Sequence, residues 1–338
     1  MSKELLFGKT HDELQQVVIS AGLPTYTAKQ ITQWLYQKKV RNIDEMTNLS
    51  KKARELLSEK YDMGLTLPVN VQESIDGAKK YLFPVKKSNF IESAYIPEEN
   101  RKTLCVSTQV GCKMKCVFCM TGKQGFQDNL TAGEIINQIC SIPENELITN
   151  VVYMGMGEPL DNYDEVLKSL KILTSDWGFG WSPRRITVST IGIIPTFKRI
   201  IEESEIHLAI SLHSPFHDER KSLMPVEEKY PVTEVIETLK KYNLGRQRRV
   251  SFEYILFKGI NDTEQHIKGI SKLLNGLRCR INLINFHSIP DSSLEGCSRE
   301  KTEWFAEQLN AKNFLTTIRN SRGEDIDAAC GLLSTLKK

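Results

Sequence analysis

Three cysteines, Cys112, Cys116 and Cys119, lie in the run Gly-Cys-Lys-Met-Lys-Cys-Val-Phe-Cys-Met at C-x3-C-x2-C spacing. One short loop thus offers three thiolates and stops there. A structural zinc site or an electron-transfer cluster normally takes four protein ligands. Three thiolates hold a [4Fe–4S] cube and leave one iron open to a substrate or cofactor. Adenosylmethionine is the small molecule most often bound at such an iron, and radical chemistry is one of its uses. The competing reading is a zinc knuckle whose fourth ligand lies elsewhere in the chain.

The rest of the sequence frames that loop. At 338 residues the chain can form one large or two medium domains. No apolar run reaches the roughly 18 residues of a membrane span, and the N-terminal run lacks the apolar stretch of a signal peptide. A cytoplasmic protein is expected. There the eight cysteines read as metal ligands or reactive thiols, not as a disulfide framework. The net charge of +3 says little by itself, but residues 1–60 hold ten Lys/Arg against seven Asp/Glu. Further basic groups stand at Arg184-Arg185, at Arg246, Arg248 and Arg249, and at Arg278 and Arg280. Such patches suit a phosphate backbone, and equally the solvated faces of helices.

Three regions differ in period, with expected boundaries at 1–62, 63–98 and 99–338. Over residues 10–60, Leu14, Val17, Val18 and Leu23, then Ile31, Trp34 and Leu35, recur at helical spacing, with Pro24 between two short helices. Val71, Gln72 and Ser74 lead through Asp76-Gly77 to Tyr81, Phe83 and Val85, which predicts a hairpin, and Phe90–Ile96 is a further extended run. These are expected to form a small antiparallel linker sheet. From residue 102 strands are predicted at 102–109, 150–155, 185–191, 206–212, 250–257, 279–287 and 314–319. Helices are predicted between them at 131–141, 162–174, 195–203, 231–242, 262–275 and 301–311. Strand–helix alternation implies a parallel sheet, and about six βα units are too few for a closed eight-stranded barrel. The predicted fold is α/β, an open partial (β/α)6 barrel. Chemistry in such folds gathers at the carboxyl ends of the strands, and the cysteine triplet follows the first strand.

Other strand ends carry suitable groups. The second opens into Gly155-Met156-Gly157-Glu158-Pro159, where glycines allow close backbone approach and Glu158 suits an ammonium group. The third ends in Val188-Ser189-Thr190, the fourth in Ser211-Leu212-His213, the sixth in Asn285-Phe286-His287. These hydroxyls and imidazoles suit ribose and carboxylate contacts, or serve as local caps. Cys140, at helical spacing with Ile136, reads as a buried apolar thiol. Cys330, among small residues near the C-terminus, is a candidate reactive thiol.

Taken together, the chain resembles the RlmN/Cfr family of radical adenosylmethionine RNA methyltransferases over nearly its whole length. The resemblance rests on Gly111–Gly122 with its three cysteines, on Met154-Gly-Met-Gly-Glu158-Pro159-Leu and on Ser182-Pro-Arg-Arg-Ile-Thr-Val-Ser189-Thr. It continues through Ser211-Leu-His213-Ser, Arg220-Lys-Ser-Leu-Met224-Pro225, Ile318-Arg319 and Gly323-Glu-Asp-Ile-Asp-Ala-Ala-Cys330-Gly. It implies a radical SAM partial barrel preceded by an N-terminal helical RNA-binding accessory domain. It also implies a [4Fe–4S] cluster on Cys112, Cys116 and Cys119, with adenosylmethionine used twice per turnover.

By the same resemblance, a cysteine is methylated by displacement from one adenosylmethionine. A second molecule yields a radical that activates the S-methyl group for addition to an adenine ring carbon. A second cysteine then releases the product by forming a disulfide. Cys330 would be the methylated cysteine, Cys105 the resolving one, and Glu92, in Glu92-Ser-Ala-Tyr-Ile-Pro97, the proton acceptor. Gly157, Glu158, Ser189, Ser211, Leu212 and His213 would line the adenosylmethionine site. His287 stands where the family usually has Asn and offers one donor and one acceptor in place of the amide pair. The expected partners are 23S ribosomal RNA, transfer RNA and an electron donor such as flavodoxin or ferredoxin, with no membrane and a single chain as the working unit. Pro159 favours RlmN-like action on adenine carbon 2. Ser189–Pro195 and Ser211–His217 look closer to Cfr-like chains, which act on carbon 8 and confer antibiotic resistance.

Overall fold

A computed structural model describes residues 3–245 and 248–335; Met1, Ser2, Arg246, Gln247 and the last three residues lie outside that description. The N-terminal region is helical, as its period predicts. Strand β1 (Glu4–Leu5) leads to helices α1 (His11–Ser20), α2 (Tyr26–Thr32) and α3 (Lys51–Lys60), and β2 (Tyr61–Asp62) closes on β1 in parallel. Thr10 caps α1: its hydroxyl accepts the Glu13 N–H while the Glu13 carboxylate accepts the Thr10 N–H. Leu14, Val18, Ile31, Leu35 and Leu57 form a core fully withdrawn from water. That core also takes in Ile136, Cys140 and Ile172 from the main body, so the region is packed against it. The contact is close. A Cβ on Gly8 would come within 2.4 Å of the Gly133 nitrogen, so only glycine fits.

The hairpin strands β3 (Asn70–Glu73) and β4 (Lys79–Val85), with β5 (Asn89–Pro97), do not stand apart. They run antiparallel into β6 (Lys102–Cys105) and extend the main sheet. β6 is shorter than the expected strand at 102–109. The chain leaves the sheet after Cys105, and Gln109–Val110 (β7) pairs instead with Asp128–Asn129 (β8). Buried Ser107 enforces the departure. Its N–H donates to the Gln138 amide at 2.8 Å and its hydroxyl to the Glu92 carbonyl at 2.5 Å. The cysteine loop and helix α4 (Met120–Gln124) fill the excursion between β7 and β8.

The alternation then proceeds as α5 (Ala132–Cys140), β9 (Asn150–Tyr153), α6 (Tyr163–Thr174), β10 (Ile186–Thr190), α7 (Ile194–Glu203) and β11 (His207–Ser211). It continues with α8 (His217–Leu223), α9 (Val232–Lys240), β12 (Val250–Leu256), α10 (Glu264–Leu273), β13 (Arg280–Asn285), α11 (Arg299–Ala311) and β14 (Leu315–Arg319). Strand order is β14-β13-β12-β11-β10-β9-β6-β5-β4-β3 in one ten-stranded sheet. β6 and β9 to β14 are mutually parallel. β14 and β3 are left as open ends, so the barrel is partial. Parallel order puts every strand's carboxyl end on one side, the arrangement in which loops build a site. No helix among the described residues is long and apolar enough to cross a membrane.

The C-terminal segment folds back over that side and is clamped by the hairpin turn. Asp325 accepts the Ser74 hydroxyl at 2.5 Å and the Ile75 N–H at 3.1 Å. Reciprocally, Asp76 accepts the Gly323 N–H at 2.9 Å and the Ala78 N–H at 2.9 Å. Burial works against the Asp76 charge, but the Ala78 and Gly323 donors outweigh it and hold the carboxyl below its ordinary value. The Ser74 hydroxyl and Ile75 N–H do the same for Asp325. Depressed carboxyls contribute stability above their unfolded values, which is lost as pH falls through the folded ones. The clamp should therefore hold at neutral pH and release below about pH 4. At neutral pH, Asp76→Asn should speed amide hydrogen exchange across 323–333 roughly tenfold, the effect of ~1.4 kcal/mol for one charged hydrogen bond, and leave β9 to β13 unchanged. Unaltered exchange in 323–333 would show that the hairpin does not hold the segment.

Candidate functional site

The cysteine loop is shaped by its backbone. Gly111 sits at φ +72°, where a Cβ would collide with the Gly125 carbonyl, and Lys115 also takes a left-handed conformation. The Cys119 N–H donates to the Cys116 carbonyl at 3.2 Å, and the Val117 N–H to the Leu223 carbonyl of α8 at 3.0 Å. Cys112 is buried, Cys116 and Cys119 half-buried. Burial pushes the Cys112 thiol up to about 12 against a hydrogen bond from the Met114 N–H. Cys116 goes well above the ordinary value through burial first, then through the nearby Cys119 and Cys112. A thiol binds iron as the thiolate and releases its proton to solvent, so thiols raised in this way suit a metal cluster and ill suit free thiolates. Among the described residues no group of His, Cys, Asp and Glu is gathered to hold a single metal ion. A cube presents its irons at separated corners, so its thiols need not meet at one point. The donor set fits a cluster.

All eight cysteines are free thiols. Two of them, far apart in sequence, share one cavity of about 440 Å³: Cys105 at the end of β6 and Cys330 in the C-terminal segment, with Cys119, Met154 and Arg319 also in its wall. Two hydrogen bonds bring Cys330 there. The Met120 N–H donates to the Gly331 carbonyl at 2.8 Å, and the Thr121 hydroxyl to the Leu333 carbonyl at 2.6 Å. The helix that follows Cys119 thus carries the segment that presents Cys330. Cys105 is buried with Ala94, Val152 and Ala328, and burial first, then Cys330, pushes its thiol above the ordinary range. Cys330 is open to solvent, yet the walls raise its thiol too, with the Arg319 guanidinium pulling the other way.

Glu92 is buried and ion-paired with Lys80 at 3.5 Å, and its carboxylate accepts the Ser334 N–H at 3.0 Å. Register places it near the two thiols: Ala94 pairs with Cys105, and Glu92, two residues away on β5, shares that face. It lines an adjoining hollow with Met120 and Ser334 rather than the cavity of the cysteines.

Glu158, expected as an open anion, is engaged by its own chain. It accepts the Thr190 hydroxyl at 2.6 Å and the N–H groups of Leu160 and Ile191, both at 3.1 Å. Burial nevertheless pushes its carboxyl up to about 7. The close approach that Gly157 permits is to Gln109, which a Cβ would meet at 2.5 Å. Ser189 and Ser211 lie half-buried at the carboxyl ends of β10 and β11, and Leu212 is fully buried. His213 takes φ +54°, held by Asn261, whose amide donates to the His213 carbonyl at 2.6 Å. Its Nδ1 accepts the Ile255 N–H, and burial, then Arg220, lowers it to about 3, so the ring is neutral. It meets Phe118 of the cysteine loop edge-on at 4.8 Å. His287 sits at the end of β13, bonded to Ser321 Oγ at 2.6 Å.

Sequence reasoning noted Arg220 only as part of a motif. In the structure it is fully buried on α8, ion-paired with buried Glu227. Its other donors bond the carbonyls of Leu212 at 3.0 Å, Ser211 at 2.7 Å and Ile191 at 3.3 Å. One guanidinium thus fixes the carboxyl ends of β10 and β11, where Ser211, Leu212 and His213 stand. An arginine amid strand-end carbonyls has this use because its donors form a fixed fork. Arg220→Met should lower stability by about 3–5 kcal/mol, because Glu227 is left buried and unpaired. Adding Glu227→Met should restore part of the melting temperature without restoring adenosylmethionine affinity. Full recovery of affinity in the double variant would deny Arg220 its positioning role.

Comparison with known proteins agrees with this geometry. Residues 106–269 match the family model of the radical SAM superfamily, and residues 5–62 that of the ribosomal RNA large subunit methyltransferase N-terminal domain. A Bacteroides fragilis protein, "Probable dual-specificity RNA methyltransferase RlmN", is 57% identical over 100% of this chain and 98% of its own length. The "Dual-specificity RNA methyltransferase RlmN" of Syntrophus aciditrophicus is 42% identical over 96% of this chain and 94% of its own. The crystal structure of a radical SAM methyltransferase from Sphaerobacter thermophilus superposes with a TM-score of 0.91 at 38% identity, covering 98% of this chain and 99% of that one.

Proposed function

This chain belongs to the RlmN family of the radical SAM superfamily, and from that membership we propose that it methylates carbon 2 of adenosine in 23S ribosomal RNA, at the peptidyl transferase centre, and in transfer RNA beside the anticodon. The observation that carries this reading is the meeting of Cys105 and Cys330 in one cavity beside the cysteine loop. Carbon 2 of adenine is an electrophilic amidine carbon, so a methyl group cannot reach it by simple displacement from a sulfonium. A carrier thiol and a second thiol to release the product solve that problem, and two cysteines in one cavity supply both.

When bound, a [4Fe–4S] cluster held by Cys112, Cys116 and Cys119 supplies the electron for reductive cleavage of adenosylmethionine. Gly157, Glu158, Ser189, Ser211, Leu212 and His213 line its site, with His287 at a neighbouring strand end. The solvent-accessible Cys330 takes the methyl group first and later presents it to the base. Cys105 then attacks the Cys330 sulfur: an S–S bond forms as the S–C bond to the base breaks, and the freed carbon takes a proton to complete the methyl group. Glu92, ion-paired with Lys80, accepts the proton. The target adenosine must be unstacked to reach the cavity. A flavodoxin or ferredoxin supplies electrons, the working unit is a single chain, and the place of action is the cytoplasm.

Incubated anaerobically with adenosylmethionine, reductant and unmodified transfer RNA or ribosomal RNA, the protein should yield 2-methyladenosine by nucleoside mass spectrometry. 8-Methyladenosine would place it on the Cfr side, and neither product would remove the RNA substrate. Cys330→Ala should abolish product, whereas Cys105→Ala should accumulate a covalent protein–RNA adduct visible as a shifted band. Normal turnover by Cys105→Ala would remove its resolving role. Glu158 adds a pH signature. Its carboxyl rises from an ordinary 4.5 to about 7, so the stability it contributes when neutral is lost as pH climbs through about 7. Binding of an ammonium group gains over the same range. Adenosylmethionine affinity should rise roughly tenfold between about pH 6 and pH 8, and stay flat in Glu158→Gln; a flat profile in the wild type would place the ammonium elsewhere.

A further inference from the structure

The cavity that holds the two cysteines runs the length of the barrel, and its far end has a different chemistry. Arg101 precedes β6, Arg249 precedes β12, Arg280 opens β13 and His207 opens β11; all four line the cavity. Because these strands are parallel, their amino ends meet at one mouth, opposite the thiols. Arg101 lies four residues before Cys105 along one strand, roughly 13 Å at ~3.3 Å per residue.

Among the described residues none of these three arginines is ion-paired with a carboxylate, whereas Arg319, also in the cavity wall, is paired with Glu253 at 3.6 Å. The Arg101 Nε is buried without a hydrogen-bond partner. Among the described residues the one acid in the cavity wall is Glu98, whose charge acts on Arg101. The charges press on one another. Burial first, then Arg280 and Arg101, weakens the Arg249 proton's hold. Burial and then Arg249 lower His207 to about 4, and its Nδ1 accepts the Arg249 N–H at 2.9 Å, which leaves Nε2 as an N–H donor. Solvated surface arginines ordinarily splay apart or find carboxylates. Here three strand ends hold them around one concave opening, where low-dielectric walls focus the field.

We propose that the amino-terminal mouth of the barrel is a binding site for phosphate groups, held by Arg101, Arg249 and Arg280 with His207 as a neutral donor. Guanidinium forks match phosphate oxygens two at a time, and a phosphate supplies the negative charge that Glu98 alone does not give to three arginines. The site stands on its own geometry and does not depend on the methyl transfer proposed above. Two sources carry this chemistry: the backbone of a bound RNA strand and a free nucleotide or polyphosphate.

Two measurements on the full-length, cluster-loaded protein separate them. Calorimetric titration with tripolyphosphate should show binding that weakens about tenfold or more in Arg249→Gln and in Arg280→Gln, whose near-400 nm absorbance serves as the folding control. Transfer RNA binding is then followed against salt. Each arginine that meets a backbone phosphate should reduce the log–log slope by roughly 0.7–1 on substitution. A reduced slope identifies RNA as the occupant. Loss of tripolyphosphate binding with an unchanged slope identifies a free phosphorylated ligand. If tripolyphosphate binds no better to the wild type than to the variants and the slopes coincide, the mouth is no phosphate site. A protein that passes this test and methylates no RNA would keep the site and lose only the methyltransferase reading.

Discussion

The hydrogen bond from the Met120 N–H to the Gly331 carbonyl, with its companion from Thr121 to Leu333, is the joint on which the site depends. Met120 directly follows Cys119, and Gly331 directly follows Cys330. The loop that would hold the cluster and the segment that presents Cys330 are therefore positioned by one piece of backbone. Neither is rigid for intrinsic reasons: the loop is rich in lysine and glycine, and the segment in small residues. Each is fixed by the other, by the hairpin clamp at Asp76 and Asp325, and by the Val117 bond to α8.

A second constraint works from beneath. Arg220 and Glu227 form a buried ion pair beside the strand ends, and burying two charges costs more than an exposed pair returns. The fold recovers that cost by using the guanidinium's remaining donors on three strand-end carbonyls. Burial, and then this same charge, keeps His213 neutral, and the guanidinium sits near Cys116. Glu158 and Thr190 tie β9 to β10 in the same way. The carboxyl ends of these strands are thus cross-braced by buried polar groups.

The alternating body was readable because β-branched strands and amphipathic helices differ in period, and the predicted strands from 150 to 319 fall within two residues of those observed. What escaped was set by tertiary contact. The first strand was read too long because its apolar pattern continues past Cys105, while the turn away from the sheet is made by Ser107 bonding to Gln138 and Glu92. Helix α8 is seven residues long and carries only Arg220 and Leu223 as buried positions, too few to give a period. The hairpin was recognised but not its continuity with the sheet, since pairing across β5 and β6 is invisible locally. For Cys330, spacing gave only a candidate thiol. Its neighbourhood with Cys105 comes from a crossing of more than 200 residues that the resemblance implied and the clamp explains.

Which thiol carries the methyl group decides the chemistry of this site. Peptide mass spectrometry of the anaerobically prepared protein, incubated with adenosylmethionine in the absence of RNA, answers this directly. One added methyl group on the peptide that contains Cys330, with Cys105 unmodified, is the result this architecture predicts. A methyl group on Cys105, or an unmodified Cys330 in a protein with its cluster intact, would contradict it.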